Sequence, residues 1–281
     1  MNTTQDETTI GFIGGGNMAS CMIDGLIRSG FEPSRIIASA PSEETLQRLR
    51  AMFAIRVTQD NQDVAMQADV LIFAVKPQIL LSVASALVST IQEKQPLVIS
   101  IAAGIGSDDL NHALGGNVAL ARIMPNTPSL IGCGAAGLYA NTQVSDAQKS
   151  LVESIARATG VVVWIDDEKL IDVVAAVSGS GPAYFFMFME CLQKSAETLG
   201  LKPDDAKLLV LQTALGASRM ALESDESLAT LRERVTSPQG TTEAALNVFN
   251  QQNMPATIEQ ALDAAIHRAK ELGEQFGKTQ E

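Results

Sequence analysis

Residues 9–19 read TIGFIGGGNMA, a short apolar run that passes into three glycines and then into a helix-like segment. Gly14, Gly16 and Ala19 have the spacing G-x-G-x-x-A of a dinucleotide-binding turn. The first glycine makes the tight turn, the second lets a pyrophosphate approach the backbone, and the third small residue lets the helix pack on the strand. Free N–H groups at the helix start bind the phosphates. The stretch therefore predicts the first strand and helix of a dinucleotide-binding domain.

Strand-like and helix-like segments alternate from this stretch to about residue 165. Such alternation predicts right-handed βαβ units and a mainly parallel sheet with helices on both faces. The fold class is therefore α/β, with an N-terminal Rossmann-type domain. The predicted strands are TIGFI (9–13), RIIA (35–38), IRV (55–57), VLIFAV (70–75), LVISI (97–101), VALARI (118–123), AAGLYA (135–140) and VVVWI (161–165).

The strand signals stop after Asp167, and the rest of the chain reads as successive helices. Several of the helix breaks place Pro near a helix start, where its missing N–H costs no hydrogen bond. We therefore predict a Rossmann-type domain over residues 1–166 and an all-helical domain over residues 167–281. The breaks are SGSGP (178–182), GLKP (200–203), SPQGTT (237–242) and NMP (253–255).

The segment AYFFMFMECL (183–192) is apolar nearly all round, which predicts burial on every side. In so small a helical domain, a second subunit covers this much apolar surface more easily than the chain's own residues do. We therefore expect a homodimer through the helix over residues 182–199. The alternative is a large core within one chain.

The chain carries a formal net charge of −12 and has no basic run, so nucleic acid is not expected as a partner. Cys21, Cys133 and Cys191 are far apart and form no CxxC pair, which predicts small buried thiols in a reducing cytosol. The N-terminus is polar and acidic, unlike a secretory signal, and no apolar stretch of about 18 residues suggests a membrane span. A soluble cytoplasmic protein is expected.

The second predicted strand ends in ASAPSEE, without the carboxylate that usually follows when NAD is bound. Small polar groups at Ser39 and Ser42, with the start of the next helix, favour a 2′-phosphate and hence NADP. Glu43 or Glu44 can instead turn toward the ribose hydroxyl. Arg35 and Arg48 are the nearest basic residues, and each is either part of a phosphate site or a solvated surface charge.

The fourth and fifth predicted strands end in Ala74-Val75-Lys76-Pro77 and Ile101-Ala102-Ala103-Gly104. Ligands of open α/β sheets bind outside such strand ends, so both turns are expected to contact the cofactor. The complete set of predicted cofactor contacts is Ile13, Gly14, Gly15, Gly16, Asn17, Met18, Ser39, Ala40, Ser42, Asn61, Ala74, Val75, Lys76, Pro77, Ile101, Ala102 and Ala103.

Strong general bases are scarce in this sequence. Only two histidines exist, His112 and His267, and both fall in helix-like surface segments. No Ser-His-Asp nucleophile pattern and no HExxH metal-binding helix is present, so hydrolysis and metal chemistry have no support. Reduction of a protonated imine fits better, because the amine product keeps the proton and no strong base is required.

Two stretches place glycine, serine, threonine and proline at helix starts in the second half. SPQGTT precedes TTEAALNVF, and SGSGP precedes AYFFMFME. Backbone N–H groups at a helix N-terminus bind a carboxylate well, and glycine lets the ligand approach the backbone. These stretches predict a site for a small carboxylate. The alternative at each is an ordinary helix cap without a ligand.

The ordered set GFIGGGNMA, FAVKPQ, SIAAG, MPNTP, SGSGPAY and SPQGTT resembles pyrroline-5-carboxylate reductases over residues 9–275. The resemblance implies reduction of 1-pyrroline-5-carboxylate to L-proline with NADPH, or NADH, as the last step of proline biosynthesis. It also implies a helical domain that intertwines with a second subunit, and several members of the family form rings of dimers.

By the same resemblance, Thr242 is the catalytic residue, with its hydroxyl near the ring nitrogen of the substrate. The other implied substrate contacts are Glu168, Ser178, Ser180, Ser237, Gly240 and Thr241. The sequence departs from the family at Gln239, where many members have Gly, and at Ala40, where some have Ser. A side chain at position 239 is tolerated if it points to solvent, whereas Ala40 weakens the expected phosphate preference.

Two other classes share part of this pattern. The β-hydroxyacid dehydrogenases and imine reductases share GFIGxGNM and a helical second domain. The dehydrogenases use a lysine in that domain, but Lys169 and Lys194 lie in no matching Gly- and Asn-bearing segment. A non-catalytic NADP-binding regulator has the cofactor fold without the carboxylate site.

Overall fold

A computed structural model of the chain describes residues 8–277. Its strands are β1 (Ile10–Ile13), β2 (Ile36–Ser39), β3 (Arg56–Thr58), β4 (Val70–Phe73), β5 (Leu97–Ser100), β6 (Leu120–Met124), β7 (Gly134–Ala140) and β8 (Gly160–Trp164). They form one eight-stranded sheet in the order β3-β2-β1-β4-β5-β6-β7-β8. All eight lie where the sequence predicts them, with ends shifted by at most two residues.

The sheet is parallel except between β6 and β7, which run antiparallel. Residues 125–133 connect this pair and contain only a short 3₁₀ turn, Thr127–Ile131. A parallel connection needs a crossover of a dozen or more residues, so this short loop reverses the chain instead. The predicted mainly parallel sheet is confirmed.

The helices are α1 (Asn17–Arg28), α2 (Glu43–Phe53), α3 (Asn61–Gln67), α4 (Pro77–Ser85), α5 (Val88–Lys94), α6 (Ser107–Ala113), α7 (Asp146–Arg157), α8 (Leu170–Val174), α9 (Gly181–Thr198), α10 (Pro203–Leu222), α11 (Leu228–Arg234), α12 (Thr241–Gln251) and α13 (Met254–Gly277). The predicted α/β class with a helical second half is confirmed.

Helices cover both faces of the sheet and produce two apolar cores. Phe12 of β1 belongs to the core on one face, with Met22 of α1 and Ile155 of α7. Ile13, the next residue of the strand, belongs to the opposite core with Leu80 of α4. Successive strand residues point to opposite faces, so a strand covered on both sides is continuously apolar rather than alternating. This explains why runs such as VLIF are strands.

The described residues divide into two compact units. The sheet unit contains residues up to Ser180 and those from Ala265 onward, and the helical unit is Gly181–Ala264. The domain boundary that the sequence predicts near residue 166 lies before the division at Ser180, and it stays a prediction. α8 belongs to the sheet unit because the Val174 side chain lies 2.8 Å from the point where a Cβ on Gly137 would stand.

The helical unit has almost no interior of its own. Within residues 181–264, all of which are described, only Gly181 and Ala206 are buried. Phe185, Phe186 and Met187 are 67%, 65% and 68% exposed. The predicted burial of this segment on every side therefore does not occur within one chain.

The predicted helix break at SGSGP is only a distortion. α8 passes into a π-helical turn, Ala175–Gly179, and α9 begins after the single residue Ser180. By length and composition alone, the resulting segment Leu170–Thr198 is long and apolar enough to cross a membrane. The sequence-based expectation of no such segment was wrong, because it treated the serines and glycines as an interruption.

Gly160 provides a test of how the β7–β8 pair is built. Its φ is +152°, and a Cβ there would overlap the Gly134 carbonyl, which belongs to the paired strand. We expect Gly160→Ala to lower the free energy of unfolding by about 2–4 kcal/mol through backbone strain and steric overlap. The measurement is urea unfolding followed by circular dichroism.

Gly30→Ala is the matched control for this substitution. Gly30 also has positive φ, +101°, but no atom lies within 4 Å of its Cβ position. It should lose only about 1 kcal/mol from strain. Equal losses for the two variants would contradict the role of the Gly134 contact.

Candidate active site

The glycine turn after β1 closes tightly against two neighbouring strands. The Gly14 N–H donates to the Ser39 carbonyl at 3.0 Å, and Gly14 has a φ of +107°. A Cβ on Gly14 would stand 2.7 Å from the Ala74 carbonyl oxygen. Only glycine fits this backbone, because a side chain would be strained and would push β1 away from the end of β4.

The N-terminus of α1 is open toward solvent. Gly16 is the N-cap residue and supplies no side-chain acceptor, so the first backbone N–H groups of the helix are not capped. Gly16 and Asn17 are exposed, and no atom lies within 4 Å of a Cβ on Gly16. Uncapped N–H groups with free space in front of them are suited to a phosphate.

Ser39 is placed differently from the prediction of a direct phosphate contact. Its side chain is fully buried and donates to the Asn61 Oδ1 atom at 2.7 Å, with the Phe12 carbonyl at 3.3 Å. The hydroxyl has no surface for a phosphate and instead holds the half-buried Asn61 at the start of α3. Ala40 is also buried.

Ser42 remains exposed at the end of this turn. It is the N-cap of α2, and its Oγ accepts from the Thr45 N–H at 3.5 Å. Of the residues proposed for a 2′-phosphate, Ser42 is the one that presents a hydroxyl and a helix start to solvent.

Arg48 forms hydrogen bonds that stabilise the glycine turn. Its guanidinium donates to the Gly15 carbonyl at 2.9 Å and to the Ser20 hydroxyl at 3.2 Å. Both acceptors lie in the turn or in α1, so the charge of Arg48 stabilises the loop that is proposed to receive the phosphates. This contact differs from both sequence-based alternatives, a phosphate ligand and a solvated surface charge.

The turns after β4 and β5 lie beside the glycine turn. The Ala74 N–H donates to the Ile13 carbonyl at 2.9 Å, and the Ile101 N–H donates to the Phe73 carbonyl at 3.2 Å. Lys76 is exposed at the N-cap of α4, Pro77 begins that helix, Ala102 is buried and Ala103 is exposed. The structure thus brings the predicted cofactor residues to one edge of the sheet.

Glu168 lies in a compact polar cluster on the sheet unit. Its carboxylate accepts from the Ser107 N–H at 2.6 Å, from the Ser107 hydroxyl at 2.5 Å and from Arg122 Nη1 at 2.7 Å. The Arg122 side chain is only 7% exposed, so this is a largely buried ion pair with additional hydrogen bonds. Burial, together with the negative charge of Glu168, raises the pKa of the Tyr139 hydroxyl beside this cluster.

Asn126 of the MPNTP motif holds the π-helical turn. Its Nδ2 atom donates to the Ser178 carbonyl at 3.0 Å, and its Oδ1 atom accepts from the Ala135 N–H at 3.0 Å. In a regular α-helix the Ser178 carbonyl would bond to residue 182, which is Pro and has no N–H. The buried Asn126 amide supplies the missing donor and fixes the serine-bearing turn to β7.

A cavity of about 250 Å³ joins the cofactor edge to this turn. It lies within the sheet unit. Ala103 and Gly104 line it from the turn after β5, Met124 lines it from β6, and Ser180 lines it from the end of the π-helical turn. Four residues of α13, among them Arg268, line the rest of this space. The cavity therefore brings together one residue of the predicted cofactor site, Ala103, and one of the predicted substrate site, Ser180.

The remaining predicted substrate residues lie at the start of α12 in the helical unit. Gly240 is the N-cap, without a side-chain cap, and its N–H donates to the Ser237 carbonyl at 3.0 Å. Thr241 and Thr242 follow it and are exposed. This N-terminus therefore also presents free backbone donors, as a carboxylate site requires.

Gln239 explains one departure from the family pattern. Its φ is +62°, a left-handed conformation that glycine adopts without strain, and its side chain is exposed. The Gln239 N–H donates to the Glu243 carboxylate at 2.6 Å, which holds this conformation. The expected tolerance of a side chain here agrees with its exposed position.

No group of three or more His, Cys, Asp or Glu residues is placed to hold a metal ion within residues 8–277. Both histidines are exposed on helices, as predicted.

Three residues of these clusters were missed by reasoning from sequence: Ser107, Arg122 and Asn126. The MPNTP motif was noted, but no role followed from it. Arg122 stands inside the predicted strand VALARI, and a charge in a buried strand is itself a signal of a paired partner.

Known proteins match this chain along its length. A family model described as pyrroline-5-carboxylate reductase dimerisation matches residues 168–272, and one described as NADP oxidoreductase, coenzyme F420-dependent, matches residues 9–104. The pyrroline-5-carboxylate reductase of Pseudomonas aeruginosa is 48% identical over 269 residues, covering 96% of this chain and 98% of that protein.

Two solved structures show the same likeness in three dimensions. A pyrroline-5-carboxylate reductase from Coxiella burnetii has a TM-score of 0.91 and 46% identity, covering 94% of this chain and 98% of that one. The Plasmodium falciparum pyrroline carboxylate reductase with NADP bound has a TM-score of 0.85 and 29% identity, covering 96% and 99%. From these matches, and from the cofactor edge and helix starts described above, the chain belongs to the pyrroline-5-carboxylate reductase family.

Proposed function

We propose that this protein reduces 1-pyrroline-5-carboxylate to L-proline with NADPH, the last step of proline biosynthesis. The observation that carries the proposal is the cavity in which Ala103 of a cofactor turn and Ser180 of the serine-bearing turn line one space. The bound nicotinamide cofactor would supply the hydride that the imine carbon accepts. The ring nitrogen, already protonated in the imine, keeps its proton as it becomes an amine, so no residue needs to act as a strong base.

The sheet unit holds the cofactor in this proposal. The open N-terminus of α1 binds the pyrophosphate, Ser42 with the start of α2 binds the 2′-phosphate, and the turns after β4 and β5 contact the nicotinamide half. Arg48 and the Ser39–Asn61 hydrogen bond keep these loops in place rather than contact the phosphate. Such preorganisation lowers the entropic cost of binding.

The start of α12 holds the substrate. Its backbone N–H groups bind the carboxylate, and the Thr242 hydroxyl contacts the ring nitrogen. A hydroxyl is both donor and acceptor and rotates freely, so it can follow the nitrogen from a planar cation to a pyramidal amine. Glu168 is already occupied by Ser107 and Arg122, so we assign it to the support of the site.

The protein is self-associating, as its match to the dimerisation region indicates, and we propose a dimer formed through the helical unit. The exposed phenylalanines of α9 and the near absence of an interior in residues 181–264 support this. From the family resemblance we also propose a ring of dimers as the larger assembly. All three cysteines are free, but only Cys21 is buried, so the predicted burial is wrong for Cys133 and Cys191. Unpaired thiols are typical of a reducing compartment, and we propose a cytoplasmic location. The negative net charge disfavours nucleic acid, and we propose no membrane partner.

Thr242 provides the first test. Loss of its hydrogen bond to a charged ligand should cost about 1.5–3 kcal/mol, so Thr242→Ala should lower kcat/KM by roughly 10- to 150-fold. Thr242→Ser, which keeps the hydroxyl, should retain most activity. The assay is NADPH oxidation with 1-pyrroline-5-carboxylate, with NADPH affinity measured separately and expected to be unchanged. If Thr242→Ala has the same kcat/KM as the parent protein, Thr242 has no catalytic role.

Ser42 tests the cofactor assignment. The parent should use NADPH at least as well as NADH. Ser42→Asp keeps an N-cap acceptor but adds a negative charge, which should raise the KM for NADPH about tenfold and leave that for NADH nearly unchanged. Ser42→Asn, an uncharged cap, is the control and should change neither. If Ser42→Asp raises the KM for NADPH and for NADH equally, the 2′-phosphate does not bind at Ser42.

Asn126 tests the role of the π-helical turn. Asn126→Ala leaves the half-buried Ser178 carbonyl without its donor, so the turn should loosen and kcat/KM should fall by about 10- to 100-fold. Asn141 is the matched control, because its side chain makes a similar pair of bonds, to the Leu120 N–H and the Val118 carbonyl, outside the cavity. Asn141→Ala should lose similar thermal stability but keep kcat/KM. Equal activity losses in the two variants would show a general structural effect.

A further inference from the structure

The two edges of the sheet are built differently. β3 forms one edge, has only three residues and begins with the exposed Arg56. β8 forms the other edge with five residues, GVVVW, and carries no charge and no proline. Monomeric proteins protect sheet edges with short strands, charged side chains and proline, because unpaired backbone groups otherwise associate with other chains. The β3 edge has this protection and the β8 edge lacks it.

The side chains of β8 also divide unevenly between the two faces. Val162 and Trp164 pack against the core that contains α1 and α7. Val161 and Val163 point to the opposite face, where they are 62% and 63% exposed. Val161 and Val163 are two residues apart in the strand, so their exposed β-branched side chains form one small apolar surface at the unprotected edge.

This surface continues onto α8 and the π-helical turn. Val163 pairs with Gly137 of β7, and the Val174 side chain rests on Gly137, so α8 lies over the face to which Val163 points. α8 and the turn carry further exposed apolar side chains, Leu170, Val173 and Val177. Together the residues Val161, Val163, Leu170, Val173 and Val177 are defined as the β8–α8 face.

We propose that a second copy of this chain covers the β8–α8 face, so that the self-association interface extends from the helices onto the edge of the sheet. Leu170, Val173 and Val177 lie within residues 168–272, the stretch that matches the dimerisation region of the family, whereas Val161 and Val163 lie before it. Val163 pairs with Gly137, on which α8 packs, so the exposed valines of β8 adjoin the matched region and are assigned to the same partner. The inference rests on the self-association stated above.

The test compares three lysine variants of the full-length protein by sedimentation velocity over a range of concentrations. Val163→Lys should raise the dimer dissociation constant at least about tenfold, because it places a charge on apolar surface that becomes buried. Val173→Lys, inside the matched region, is the positive control and should have a similar effect. Met52→Lys is the negative control, since Met52 is 61% exposed on α2 beside β3, at the opposite edge of the sheet.

Unchanged association in Val163→Lys, with weakened association in Val173→Lys, would overturn the extension of the interface while leaving dimerisation intact. A parent that sediments as a monomer at every concentration would overturn both. If Val163→Lys does not fold, hydrogen exchange of residues 160–164 in the parent decides the question. Protection that increases with protein concentration supports the proposal, and protection independent of concentration while the dimer population changes contradicts it.

Discussion

The strands of a parallel sheet all end at the same edge, and every loop proposed to hold the cofactor depends on this constraint. The loops are also bonded to one another: the Gly14 N–H bonds to the end of β2, and the Ala74 N–H bonds to the end of β1. Because Gly14 lies so close to the Ala74 carbonyl, a side chain there would displace two strand ends at once. Gly14 is therefore required for the packing of the strand ends at this edge as well as for the proposed binding of the phosphates.

The two proposed anion sites, one in each half of the chain, are built in the same way. α1 and α12 each begin at a glycine N-cap without a side-chain acceptor, Gly16 and Gly240. By contrast, α7 and α11 begin at serines, Ser145 and Ser227, whose hydroxyls accept from the first turn. α4, α6 and α10 also lack a side-chain cap, so a missing cap alone does not mark a ligand site. At α1 and α12 it leaves N–H groups available to an anion. The pyrophosphate and the substrate carboxylate are the anions that the proposed reaction brings to these two helices.

The strands and most helices could be predicted because their signals are local. A strand buried on both faces is a continuous apolar run, and a helix start is marked by Pro, Gly, Ser or Thr. The errors concern residues whose partners are distant in sequence. The buried Ser39 hydroxyl donates a hydrogen bond to Asn61. The turn at Ser178 stays within the helix because Asn126 supplies the N–H donor that Pro182 lacks. Side-chain type alone does not identify such partners.

The helical unit connects assembly to the proposed chemistry. Ordering a residue costs about 1–2 kcal/mol of backbone entropy, which folded proteins offset chiefly by burying apolar surface. Residues 181–264 bury only Gly181 and Ala206 within one chain, so their order requires apolar surface supplied from outside. A partner that supplies it stabilises the folded state by mass action. Because α12 belongs to this unit, the helix start proposed to bind the substrate carboxylate would be stabilised by the same association. We expect a separated chain to lose that carboxylate contact even if its cofactor edge and the adjoining cavity remain folded.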